Sequence, residues 1–221
     1  MKLYSFFRSS AAYRVRIALN LKGLNAEYAP INLRKGGGEQ YEPAYRKLNP
    51  QSLVPALEDG GHVLTQSLAI LEYLEEAHPR PALLPQAPAE RARVRSLALA
   101  VACEIHPLNN TRVLAYLKDK LGADDAARDG WYRHWIATGL GALEARLSAE
   151  AGTGRFCHGD APTFADCCLV PQLYNARRFP QMFGSAPFDL GAYSTLMRIE
   201  QACLALPAFQ AAAPERQPDA V

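Results

Sequence analysis

The chain predicts two unlike lobes, an α/β lobe followed by an all-helical one. Three observations carry this. Strand-like and helix-like patterns alternate up to about residue 78, four prolines (Pro79, Pro81, Pro85 and Pro88) then interrupt the chain, and the apolar spacing beyond them is helical throughout. The expected boundaries are residues 1–80 for the first domain, 88–213 for the helical domain and 214–221 for a disordered tail.

The elements follow in order. Residues 2–6 set Tyr4 and Phe6 at alternate positions, the period of a strand. Small or apolar residues at 11, 12, 15, 18, 19 and 21 then keep helical spacing up to Gly23, which suits a left-handed terminal position. Residues 26–31 read as a strand in which Pro30 favours an edge. Lys35-Gly36-Gly37-Gly38-Glu39 reads as a flexible loop, because no Gly-Lys-Ser/Thr follows to make a phosphate cradle. Residues 54–58 and 62–64 are strands joined across Asp59-Gly60-Gly61, a hairpin signal. Gln66-Ser67 precedes the helical stripe Leu68, Ile70, Leu71, Tyr73 and Leu74. In the second half, one helix covers about 90–103, is disturbed at Pro107 and resumes through Val113, Leu114 and Leu117. Another carries Trp131, Trp135, Ile136, Leu140, Leu143 and Leu147. A third begins at Thr163, where Thr163-Phe164-Ala165-Asp166 spells a capping box, and a fourth contains Leu196, Ile199, Cys203 and Leu204.

Composition narrows the function classes. A length of 221 residues, with 49% hydrophobic side chains, can bury a real core. A net charge of only +2 argues against a nucleic-acid partner, which would call for a larger, clustered basic surplus. The first residues show no basic segment leading into an apolar run, and the apolar run at 97–103 is far too short to span a bilayer. No membrane association and a cytoplasmic location are therefore expected. The cysteines number five and form no CxxC, which points to reduced, mostly buried thiols. Cys157-His158 and Cys167-Cys168 lack tetrahedral ligand spacing, so no metal is expected.

Three places hold residues suited to chemistry. Arg8-Ser9-Ser10 joins the first strand to the first helix, Val54-Pro55 opens a strand, and Gln66-Ser67 stands at a second helix start. A helix start carries unpaired N–H groups and partial positive charge, so it stabilises an anion. Serines there either cap the helix or donate a hydrogen bond to that anion, and each pair taken singly has an ordinary capping explanation.

Taken together, the segments MKLYSFFRSSAAYRVRIALNLKG, LNPQSLVPAL, LTQSLAILEYLEE, IHPLNN, GDAPTFADCCLVPQ and ARRF resemble the zeta class of cytosolic glutathione transferases. That class includes maleylacetoacetate and maleylpyruvate isomerases, and the likeness spans residues 1 to about 179. The resemblance implies a thioredoxin-like N-terminal domain, an all-α C-terminal domain, glutathione bound between them, and a homodimer. It implies that Ser10 or Ser9 hydrogen-bonds the glutathione sulfur and serves catalysis. Val54, beside a cis Pro55, would pair its backbone with the tripeptide, and Gln66 and Ser67 would hold the γ-glutamyl carboxylate. His106 and Asn110 would reach towards glutathione, within one subunit or across the dimer. Arg8 and Arg177, with Arg112 behind them, would grip a small diacid substrate, since guanidinium forks hold carboxylates with paired bonds.

One departure is clear: Ala11 stands where many members of the class have cysteine. Disulfide chemistry with glutathione thereby loses its obvious thiol, whereas isomerisation needs none. Serine donors suffice physically. Bringing a thiol from about 8.5 to about 6.5 takes roughly 2.7 kcal/mol. A hydrogen bond to a charged group supplies roughly 1.5–3 kcal/mol and a helix start about 0.3–1 kcal/mol more. The expected activity is glutathione-dependent cis–trans isomerisation of a maleyl keto diacid, maleylacetoacetate before maleylpyruvate. The alternatives are a transferase that conjugates electrophiles and, last, a non-catalytic binding module.

Overall fold

Strand β1 (Lys2–Ser5) organises the N-terminal half of the computed structural model, which describes residues 1–220. It pairs in parallel with β2 (Glu27–Pro30) and antiparallel with β3 (Ala56–Asp59), which pairs antiparallel with β4 (His62–Thr65). The resulting order is β2-β1-β3-β4. Parallel partners need a crossover, and helix α1 (Ser10–Leu21) supplies it. Pro30 lies in an edge strand, where a missing N–H is tolerated. The β3–β4 turn uses Gly60 and Gly61 at φ 54° and 82°, a region that glycine enters without a Cβ penalty. Helix α2 (Pro43–Leu48), absent from the sequence reading, is too short for its spacing to register. Helix α3 (Ser67–Ala77) packs on α1, and Val15, Ile17, Leu57, Ile70, Leu71 and Leu74 are fully buried.

The proline-rich stretch is fastened rather than loose. Lys22 Nζ lies 2.7 Å from a Glu75 carboxylate oxygen and also donates to the carbonyls of His78 and Pro81. Glu75 in turn accepts from the N–H groups of Leu83 and Leu84. The first unit accordingly runs to Leu84 instead of stopping at residue 80.

The second unit, Pro85–Cys203, is helical. It contains α4 (Pro88–Leu99), α5 (Thr111–Leu121), α6 (Asp125–Ala149), α7 (Phe164–Arg178) and most of α8 (Ser194–Leu204). The continuous helix expected through Cys103 instead widens to a π-helical stretch, Ala100–Ile105. Pro107 offers no N–H and its ring crowds the carbonyl four residues back, so the last turn opens; the His106 N–H bonds the Val101 carbonyl at 2.9 Å. In α6, Tyr132, Ile136, Leu140, Leu143 and Leu147 form the buried stripe. Gly139 keeps that helix close to the π-helical stretch, since a Cβ there would lie 2.3 Å from the Ile105 side chain. The capping box forms. Asp166, fully buried, accepts from the Thr163 N–H and hydroxyl at 2.8 Å each and from the Cys157 N–H at 2.9 Å.

Two expectations about the C-terminus are corrected. The helical unit ends at Cys203, not at residue 213, and the chain from Leu204 onward belongs to the first unit. There α9 (Pro207–Ala212) packs on α1: Asn20 Nδ2 donates to the Ala208 carbonyl at 2.9 Å, and Arg16 Nε to that of Ala212 at 3.0 Å. Residues 214–220 are not a disordered tail. A 3₁₀ turn spans Pro214–Arg216, and the Asp219 carboxylate accepts from the Phe7 N–H at 3.1 Å and the Tyr28 hydroxyl at 2.6 Å. Burial and the neighbouring carboxylate push the Tyr28 hydroxyl upward, so it remains a donor. A polar, proline-containing tail is thus ordered by donors far away in sequence.

Asp166→Ala leaves three donors unmatched and is expected to lower unfolding free energy by about 3–5 kcal/mol, read from urea denaturation, with activity per folded molecule unchanged. Asp219→Ala is expected to cost about 1–3 kcal/mol by the same measurement.

Candidate active site

Strand register assembles the site in the first unit. Tyr4 pairs with Ala56, and Ala56 with Thr65, so the end of β1, the start of β3 and the end of β4 lie at one end of the sheet. The segments at that end are residues 6–10, 54–55 and 66–67, the three places the sequence singles out.

At the first, Ser9 is the N-cap of α1, and its Oγ accepts from the Ala12 N–H at 3.2 Å. An accepting hydroxyl still has a proton to donate, so capping and ligand binding are compatible. Ser10 is the first helical residue and is buried. The preceding turn closes through the Ser9 N–H to the Phe6 carbonyl at 2.9 Å. Arg16, itself buried, donates to Ser5 Oγ at 3.2 Å and to the Phe7 carbonyl at 3.0 Å, fixing this turn from beneath. Arg8 is half-buried with its guanidinium 4.8 Å from the centre of the Phe7 ring.

At the second, the Val54–Pro55 bond is cis and both residues are buried. The Leu53 carbonyl beside them accepts from the Tyr45 hydroxyl at 2.7 Å and Asn49 Nδ2 at 2.8 Å. Burial pushes the Tyr45 hydroxyl up to about 12, which keeps it a donor.

At the third, Gln66 takes φ 68° immediately before α3, a conformation that is uncommon and costly for a residue with a side chain. Its side chain makes no cap bond and instead donates from Nε2 to Gln51 Oε1 at 2.7 Å. The first-turn N–H groups of α3 therefore have no capping oxygen from Gln66, as an anion site requires. Ser67 Oγ accepts from Arg14 Nη1 at 3.1 Å, with both side chains buried. The sequence reading missed Arg14. Its signal was a charged residue set among the apolar positions 12, 15, 18 and 19 of a helix.

The remaining expected residues lie in the helical unit. His106 ends the π-helical stretch, and Asn110 caps α5 through its side chain, accepting from the Arg112 N–H at 3.1 Å. Asn110 Nδ2 and His106 Nε2 are 3.5 Å apart, so these two are neighbours. Arg112 is exposed on the first turn of α5. Arg177, expected to meet a diacid, is paired within its own unit. Its Nη1 meets Glu200 Oε1 at 2.6 Å, Nη2 meets Oε2, and Met197 Sδ lies 3.2 Å from Nη2. Both ends of the guanidinium fork thus face one carboxylate of the same unit.

Family models match on both units: the glutathione S-transferase N-terminal domain over residues 3–82 and the C-terminal domain over residues 125–202. The chain belongs to the glutathione S-transferase family. Its thioredoxin-like sheet unit and helical unit are the two parts of that fold. A Vibrio cholerae relative named probable maleylacetoacetate isomerase is 50% identical over 218 residues, covering 99% of this chain and 97% of its own. A structure described as the holo form of maleylpyruvate isomerase, a bacterial zeta-class glutathione transferase, aligns at TM-score 0.93 with 49% identity and full coverage of both chains. Maleylacetoacetate isomerase from Methylobacterium extorquens AM1, solved with malonate and glutathione, aligns at 0.92 with 47% identity, again over both full chains. The zeta class is thus the branch to which this transferase belongs.

Arg177→Met strands the largely buried Glu200 carboxylate and is expected to lower stability by about 1–3 kcal/mol. Adding Glu200→Met should restore most of that loss in denaturant titrations.

Proposed function

We propose that this transferase is a glutathione-dependent cis–trans isomerase of a maleyl keto diacid, with maleylacetoacetate as first substrate and maleylpyruvate as second. The observation that carries the reading is the shared end of the sheet, where a doubly hydroxylated helix start, the Val54–Pro55 segment and a second helix start without a side-chain cap meet. The isomerase names of full-length relatives, and glutathione and malonate bound in one of them, support it.

The donor set fits glutathione. Ser9 and Ser10 offer hydroxyl protons for a sulfur, Val54 offers backbone groups for a peptide, and Gln66, Ser67 and the α3 amides suit a carboxylate. When bound, glutathione supplies a thiolate that adds reversibly to the conjugated alkene, so that the former double bond can turn before the sulfur departs. The serines keep their own protons and act as donors, favouring the ionised sulfur together with the α1 dipole. Arg8 is assigned to the substrate carboxylate and to the negative charge that develops on the substrate oxygens. His106 and Asn110 are assigned to glutathione, within one subunit or across a homodimer, and Arg112 is a secondary diacid contact. With Ala11 in place of cysteine, no protein thiol competes for the sulfur at that position. The site belongs to a homodimer working in the cytoplasm on a small diacid.

Isomerisation of maleylacetoacetate and maleylpyruvate, followed by absorbance with and without glutathione, tests the reading. Turnover that requires glutathione and leaves its concentration unchanged is expected. Glutathione consumption with chlorodinitrobenzene, and no isomerisation of either diacid, would point instead to a conjugating transferase. Replacing both Ser9 and Ser10 by Ala is expected to raise the pKa of the bound thiol by about 1–2 units. The rate then falls at neutral pH and recovers as pH rises through the new value. Arg8→Ala should raise KM for the diacid about 10- to 100-fold.

A further inference from the structure

Arg14 is a buried guanidinium one helical turn from Ser10, on the same face of α1. It reaches across to the start of α3, where Nη1 donates to Ser67 Oγ at 3.1 Å. A serine hydroxyl has two lone pairs and one proton. An Arg donor on one lone pair directs the proton elsewhere and polarises the O–H bond, making Ser67 a better donor. The adjacent helix start has no cap from Gln66 and attracts negative charge. Arginine suits this place because it remains charged when buried, as a lysine readily does not.

We infer that Arg14 is a positioning residue for the γ-glutamyl carboxylate of glutathione: it orients the Ser67 hydroxyl proton towards that anion and sets a fixed positive charge behind it. The inference rests on the reading that Ser67 and the α3 start hold this carboxylate. Arg14 thereby links the two ends of the tripeptide site, since the helix that carries it also carries Ser9 and Ser10.

The test uses calorimetric binding of two probes to the full-length protein: glutathione, and cysteinylglycine, which lacks the γ-glutamyl group. Arg14→Met is expected to weaken glutathione binding about 10- to 100-fold while leaving cysteinylglycine binding within about twofold. Ser67→Ala should do the same, and the double variant should be little worse than either single one. Arg14→Lys, which keeps a nitrogen donor but holds its charge less firmly when buried, is expected to recover part of the affinity, and it serves as the working variant if Arg14→Met does not fold. Equal losses for both probes would mean a purely structural Arg14 and would overturn the inference. A loss in Ser67→Ala that neither Arg14 variant shares would overturn it while sparing the carboxylate reading. Undiminished glutathione affinity in Ser67→Ala would remove both.

Discussion

The pairing of Tyr4 with Ala56, and of Ala56 with Thr65, is the constraint on which the candidate site depends. Side chains alternate faces along a strand, so a one-residue slip would turn Leu3 and Leu57 from the core towards water. Because burial forbids the slip, residues 6–10, 54–55 and 66–67 must leave the sheet together. The core thus does the aligning, and the loops inherit it. No single loop needs to be stable alone, and the three pairs of candidate ligand groups need not adjoin one another in sequence.

Two buried arginines on α1 then tie this scaffold together. Arg16 spends its donors on the carbonyls and hydroxyl of the β1–α1 turn and on Ala212, while Arg14 turns to Ser67. A buried guanidinium is costly to desolvate, and hydrogen bonds of this kind offset that cost. The helical unit shows the opposite polarity in its interior: Asp166 is a buried acceptor surrounded by donors, at the head of α7. One unit sets a buried positive charge beside the start of α3, and the other uses a buried carboxylate to start a helix.

What could be read from the chain follows a physical line. Alternation predicts β1, the Asp59-Gly60-Gly61 turn predicts the β3–β4 hairpin, helical spacing predicts α1, α3 and α6, and Thr163 with Asp166 three residues on predicts the capping box, because each is encoded within a few residues. Ser9, Ser10, Gln66 and Ser67 were visible for the same reason: helix starts are local. The partnerships of the arginines were not. Arg14 meets a residue 53 positions away, and Arg177 is neutralised by Glu200, 23 positions further on. A lone arginine in a sequence carries no sign of whether it faces water, a ligand or a buried carboxylate. The π-helical stretch before His106 and the six-residue α2 were equally silent, the first because a proline's effect on the preceding turn depends on packing, the second because two periods are needed to see one.

The return of the C-terminal segment to the sheet unit has a consequence for how the protein is made. The backbone turn that presents Arg8 and Ser9 is buttressed by Arg16, which also bonds the Ala212 carbonyl, and by Asp219 against the Phe7 N–H, partners that follow the helical unit in the chain. The intervening helical unit is synthesised in full before these contacts are possible. Maturation of the nascent chain therefore cannot proceed strictly from front to back, and the half carrying the candidate site is completed only after the helical unit has been made.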